Sequence, residues 1–176
     1  YSFVWQDYCS WYIEISKAKI NRDDISDIER NAVIYNLRDI LKNILLLLHP
    51  IMPFITEEIY FDIFKEKTFL QYNAYPESKN FLSKNNTDNI TWMIDIVSAI
   101  RKTRSEIGVL PNKDIEVIVT GENNKDKLYF KQLSYLIKNL SKIKKLDFGS
   151  VESEKNYYTC VSNNLKFLIP TSGLID

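Results

Sequence analysis

The stretch "LLLLHPIMPFITEEIY" (Leu45 to Tyr60) constrains the fold more than any other part of the chain. Four leucines run directly into two prolines three residues apart, and two glutamates follow at once. The apolar run Ile44 to Leu48 is five residues long, far short of the ~18 that a membrane-spanning helix requires. A residue before proline avoids the α region, so Pro50 ends a helix. Pro53 suits the first turn of the next helix, where a missing N–H costs nothing. Glu57 and Glu58 follow where negative charge meets the positive end of the helix dipole. The stretch therefore predicts a helix–corner–helix junction, with Phe54, Ile55, Ile59 and Ile63 returning to the core.

The flanking sequence extends this pattern. Residues 1–17 place Tyr1, Val4, Tyr8, Trp11, Tyr12 and Ile15 on one helical stripe, with Phe3 and Ile13 off it. After a polar loop, with Asp23 or Asp24 as the expected N-cap, a long helix runs from Ile25 to Leu48. It carries Ile28, Val33, Leu37, Ile40, Leu41, Ile44 and Leu48 at helical spacing. Residues 66–88 are irregular and polar, and a fourth helix spans Asp88 to Ile107. Gly108 suits its C′ position and Pro111 prevents continuation.

Beyond Pro111 the period changes. "DIEVIVTG" (114–121) reads as a strand. Residues 125–140 form an amphipathic helix through Leu128, Leu133, Leu136, Ile137 and Leu140, and three short strands follow in "KIKKLDF", "YYTCVSN" and "LKFLIP". The fold class expected is mainly α: helices over 1–112, then a small α+β domain over 113–176. Tyr1 begins in helical period without a cap, and "TSGLID" stops where an element should start, so a longer polypeptide is expected.

With 23 cationic and 23 acidic side chains the chain is formally neutral, unlike a typical strongly basic nucleic-acid-binding domain. Cys9 and Cys160 match no metal spacing and read as free thiols of a reducing compartment. No phosphate loop or zinc spacing occurs. The lone His49 reads as a helix-end residue bonding a carbonyl or water. Glu57 and Glu58 project about 100° apart on a helix, too divergent for an acid/base pair. No active site is expected.

One constellation stands out in "IRKTRSEIGVLPNK" (100–113). Relative to Val97, Arg101 falls at about +40° and Arg104 at about −20°, inside the stripe of Ile90, Met93, Ile94 and Ile100, while Lys102 points nearly opposite. A guanidinium on a buried stripe must be paired or must reach a cleft. Two arrangements satisfy this: pairing with carboxylates such as Glu57, Glu58 or Asp95, or opening onto an anion such as an RNA phosphate.

"FVWQDYCSWYIEISK", "LLLLHPIMPFITEEIY" and "IRKTRSEIGVLPNK", in that order and spacing, resemble the C-terminal region of the valyl-tRNA synthetase family. "FLIPTSGLID" is similar to the segment before that family's coiled-coil arm. The Pro-x-x-Pro-Phe-x-x-Glu-Glu core is shared with the class I enzymes for isoleucine and leucine; Cys-x-Trp-Tyr-Ile-Glu favours valine. Ser10 departs from the usual acidic residue, and Thr171-Ser172 from Leu-Ala.

The resemblance implies a helical-bundle anticodon-binding domain followed by a small α+β domain. The cytoplasmic parent would join valine to its tRNA with ATP, which binds in a catalytic domain outside this segment. The segment itself would take no cofactor or metal and carry no catalytic residue. Its partners would be valine tRNA and the parent's catalytic domain, and no membrane. Arg101, Lys102, Arg104 and Lys113, with Phe3 and Arg38 further out, are the expected contacts near the anticodon stem-loop. The alternatives are the equivalent domain of an isoleucine or leucine enzyme, or a helical scaffold without RNA contact.

Overall fold

A computed structural model describes residues 1–77, 87–149 and 157–171. The polar cluster 78–86 and the closing segment 172–176, including Ser172, lie outside the described residues. The chain forms two compact units, Tyr1–Leu82 and Ser83–Asp176.

The first unit is helical. Phe3–Tyr12 winds as a wide helix with i→i+5 bonding, closed by the Ile13 N–H on the Tyr8 carbonyl, and continues into α1 (Ile13–Ile20). Ser10 donates its hydroxyl to the Trp5 carbonyl at 2.7 Å, five residues back, in step with that winding. The wider turn shifts the buried face. Tyr8 is buried, stacks on Tyr12 and donates to the Leu37 carbonyl at 2.9 Å. Tyr1, expected on the same stripe, is 98% exposed.

α2 (Asp27–Leu48) starts two residues later than expected, capped by Ser26 rather than Asp23 or Asp24. The Ser26 Oγ accepts the Glu29 N–H at 3.2 Å, and Glu29 reaches back to the Ser26 N–H, so two orphan donors are satisfied reciprocally. Asp24 is instead held by Arg22. α2 ends at the corner as predicted, and α3 (Pro53–Phe64) begins with Pro53 in its first turn.

The face α3 buries differs from the expected one. Phe54 is 90% exposed, and Ile55 and Ile63 are exposed, while Thr56 and Tyr60 are buried. α3 is apolar nearly all round, so apolarity alone does not select a face. Polar satisfaction does: Thr56 donates to the Met52 carbonyl at 2.8 Å and meets His49 Nδ1 at 2.8 Å. Tyr60 donates to Glu66, and Glu57 accepts the Leu70 N–H at 2.8 Å. Leu70, in a short 3₁₀ turn (Leu70–Tyr72) that the sequence reading left irregular, completes a core with Leu45, Leu46 and Tyr60. The stripe of α2 is buried at Ile44 to Leu46, whereas Ile28 is 83% exposed.

The second unit contains α4 (Asp88–Glu106), β1 (Ile115–Thr120), α5 (Asn124–Ser141), β2 (Ile143–Phe148), β3 (Tyr157–Ser162) and β4 (Leu165–Pro170). The strand order is β2-β1-β4-β3, with β1 and β2 parallel through α5 and the other pairs antiparallel. Asn163 and Asn164, both at positive φ, form the two-residue turn of the β3–β4 hairpin.

The sequence grouped α4 with the helices before residue 112. In the structure it packs on α5 and β3, so the compact units divide between Leu82 and Ser83. Met93, Ile96, Val97 and Ile100 of α4 are fully buried, and each such side chain contributes about 1.5–3 kcal/mol. Trp92 fixes the α4–α5 contact. Its Nε1 donates to Asp126 at 3.1 Å, and its ring meets Phe130 edge-on at 4.9 Å. Asp126 also closes the Asn123 capping box of α5. The buried stripe of α5 runs through Phe130, Leu133, Leu136, Ile137 and Leu140; Leu128, placed on it by spacing, is 62% exposed.

Candidate nucleic-acid interface

The cationic end of α4 is built from its last two turns. Arg104 is buried against α5, as its angular position predicts, whereas Arg101, placed on the same stripe, is exposed although it too reaches α5. Both donate to the carbonyls that end α5, and Arg104 also to those of the loop after α4. Arg101 donates through Nε and one Nη to the Leu140 carbonyl at 3.0 and 2.8 Å. Arg104, 5% exposed, donates one Nη to the Ser141 carbonyl at 2.6 Å. Its other Nη reaches the carbonyls of Leu110 at 2.9 Å and Lys113 at 2.5 Å.

The last carbonyls of a helix have no intrahelical partner and carry the negative end of its dipole. Two planar cationic forks satisfy them. Burial pushes the Arg104 guanidinium below its ordinary value, and the negative charge of Asp114 opposes that shift.

The same guanidinium fixes the loop after α4. The Gly108 N–H bonds the Ser105 carbonyl at 3.2 Å and the Val109 N–H bonds the Arg104 carbonyl at 3.0 Å, a paired terminus that needs the positive φ of Gly108. Arg104 then holds the carbonyls of Leu110 and Lys113 from inside. Arg101, Arg104, Leu110 and Pro111 line one groove together with Leu140 and Lys142.

The other candidates differ in setting. Lys102 is exposed on the opposite face of α4 and lies 3.9 Å from Glu106, a surface pair worth little in stability. Lys113 sits at the end of the Arg104-held loop, half-buried. In the first unit the Arg38 guanidinium lies 4.9 Å from the Phe64 ring centre, and Phe3 is exposed on the wide helical turn. The structure thus brings Arg101 and Arg104 together in one groove, with the Lys113 carbonyl but not its side chain on Arg104, and leaves Lys102 on another face. Lys142 enters the groove as well. Spacing on α4 could not reveal it, because it comes from the far end of α5.

Elsewhere His49 ends α2, its Nδ1 lies 2.8 Å from the Thr56 hydroxyl, and Glu57 Oε2 lies 3.9 Å away. Cys9 and Cys160 are both free, and burial raises the Cys160 thiol. Among the described residues no cluster of three metal-ligating side chains occurs, and no helix is long and apolar enough to cross a membrane.

The chain thus combines a helical unit with a second unit in which a cation-ended helix packs on a small mixed sheet. The chain belongs to the anticodon-binding domain family of tRNA ligases, whose sequence profile matches residues 1–119. It is 33% identical over 181 residues to the valine–tRNA ligase of Francisella tularensis, 28% over 186 to that of Xylella fastidiosa and 30% over 178 to that of Lactobacillus johnsonii. All of this chain is covered in each case, against 20%, 18% and 20% of the relative. The chain spans about a fifth of the length of the relatives it matches.

Proposed function

We propose that this chain binds the anticodon arm of a valine tRNA and belongs to a cytoplasmic valine–tRNA ligase. That parent uses ATP in a catalytic domain outside these residues. The observation that carries the reading is the family match across residues 1–119 together with similarity, over the whole of this chain, to a fifth of a valine–tRNA ligase. The reading assigns anticodon binding to residues 1–112 and a supporting role to the α+β segment 113–176.

RNA loops are recognised by splayed bases stacked on aromatics, with phosphate contacts supplying affinity. Arg101, Lys102 and Lys113 are proposed as phosphate contacts, and Arg38 and Phe3 as contacts on the first unit, where an exposed ring offers a stacking surface. Arg104 serves the interface from beneath. Its donors are spent on carbonyls that hold the loop 108–113, which favours the scaffold reading for this residue alone.

Titration of labelled valine tRNA with the 176-residue chain at several salt concentrations tests the reading. Binding should weaken steeply with salt, and Lys102→Gln plus Lys113→Gln should flatten the logarithmic slope by about 1–2. Salt-independent binding, or an unchanged slope, contradicts it.

A further inference from the structure

We infer that the second unit carries its own RNA-backbone surface, formed by Lys138, Lys142 and Lys144 where α5 runs into β2; the inference rests on the tRNA-binding reading. Residues 138–145, "KNLSKIKK", hold four lysines and no carboxylate in a chain that is neutral as a whole. Lys138, Asn139, Lys142 and Lys144 line one depression with Tyr135 and Asp114. Lys142 also lines the groove of Arg101 and Arg104.

Two backbone features aim these side chains. The β1–β2 register passes from Ile115↔Ile143 to Glu116↔Lys145, so Lys144 is the extra residue of a bulge, a device that re-aims a side chain. Lys142 sits at φ +53, where glycine or asparagine is the usual choice after a helix. Lys145 pairs with Asp147 at 2.6 Å, whereas the depression of Lys138, Lys142 and Lys144 has a single carboxylate, Asp114, among its lining residues.

β2 is an edge strand, and lysines on an edge discourage edge-to-edge pairing. That accounts for Lys144 but not for Lys138, which lies on α5, nor for Lys142 at its end. Three cations on a shallow surface beside an asparagine and a tyrosine match the spaced phosphates and sugar hydroxyls of an RNA strand.

The test uses the 176-residue chain with Lys138→Gln, Lys142→Asn and Lys144→Gln combined. Asparagine tolerates positive φ, so the helix end is preserved, and a thermal melt checks the fold. Lys125→Gln, Lys127→Gln and Lys131→Gln, on the earlier turns of α5, remove the same charge elsewhere. Binding is read on valine tRNA and on a tRNA of different anticodon.

The first triple variant should weaken valine-tRNA binding about tenfold or more and flatten the logarithmic salt slope by about 2, against about twofold for the control. Equal losses from both triples, or none, with preference for valine tRNA intact, overturn this surface and leave the earlier reading standing. Weakening by the first triple without any preference between the tRNAs upholds the surface and overturns the earlier reading. Failure of the unsubstituted chain to bind either RNA overturns both.

Discussion

The buried guanidinium of Arg104 lies 2.6 Å from the carbonyl of Ser141, so the last turn of α4 closes the end of α5. One charged side chain thereby joins a helix end, a loop and a neighbouring helix. Arg104→Ala leaves those carbonyls buried without donors and should cost about 3 kcal/mol or more. Arg104→Lys, which keeps charge but loses the planar fork, should recover only part of that. Chemical denaturation of both variants checks the order.

Leu70 is fully buried against Leu45, Leu46 and Tyr60, in a segment with almost no regular structure. Leu70→Ala should destabilise the first unit by about 2–5 kcal/mol through lost burial and the cavity left behind. Leu128→Ala, on the exposed side of α5, should change stability by less than about 0.5 kcal/mol. A melting comparison of the two separates buried from exposed leucines.

The capping box gives a pH prediction. Hydrogen bonds from the Ser26 hydroxyl and N–H hold the Glu29 carboxyl below its ordinary value of 4.5. A carboxyl depressed on folding contributes stability that is present above its unfolded value and lost as pH falls through the folded one. The Glu29 contribution therefore declines progressively as pH falls below 4.5, and Glu29→Gln should show a shallower acid-side loss of melting temperature than the unsubstituted chain. Ser26→Ala, which removes the cap itself, should cost about 1 kcal/mol at neutral pH.

Gly121 adopts φ +89, and a Cβ there would come 3.3 Å from the Asn164 carbonyl at the hairpin turn. Gly121→Ala should destabilise the second unit by about 1–2 kcal/mol. Asn164→Gly, at φ +65, should be neutral or stabilising. Calorimetry of the pair checks the sign of each.

Much of the element order was legible because the punctuation is strong. Pro50 and Pro53 set the corner, Gly108 and Pro111 end α4, and the β-branched run 115–120 announces the change of period. Buried faces were harder to read. On α3 nearly every face is apolar, and the hydroxyls of Thr56 and Tyr60, not the greasiest residues, decide which side goes in. In Phe3–Tyr12 the wide winding moves the stripe that ordinary helical spacing predicts. At the cationic site the angular position of Arg104 predicts its burial but not its carbonyl partners, and Arg101, placed on the same stripe, is exposed. Helix-end carbonyls are supplied by every helix and leave no trace in side-chain sequence, so Leu140 and Ser141 could not be found by seeking acids. Lys142 was missed for a related reason, because tertiary packing alone sets it beside α4.

We propose that this chain reads the anticodon arm of a valine tRNA. The most direct test is the affinity of the 176-residue chain for a valine tRNA transcript and for the same transcript with the anticodon bases replaced, at one fixed salt concentration. Loss of one stacked and hydrogen-bonded base should weaken binding by about tenfold or more. Equal affinity for the two transcripts would contradict the account.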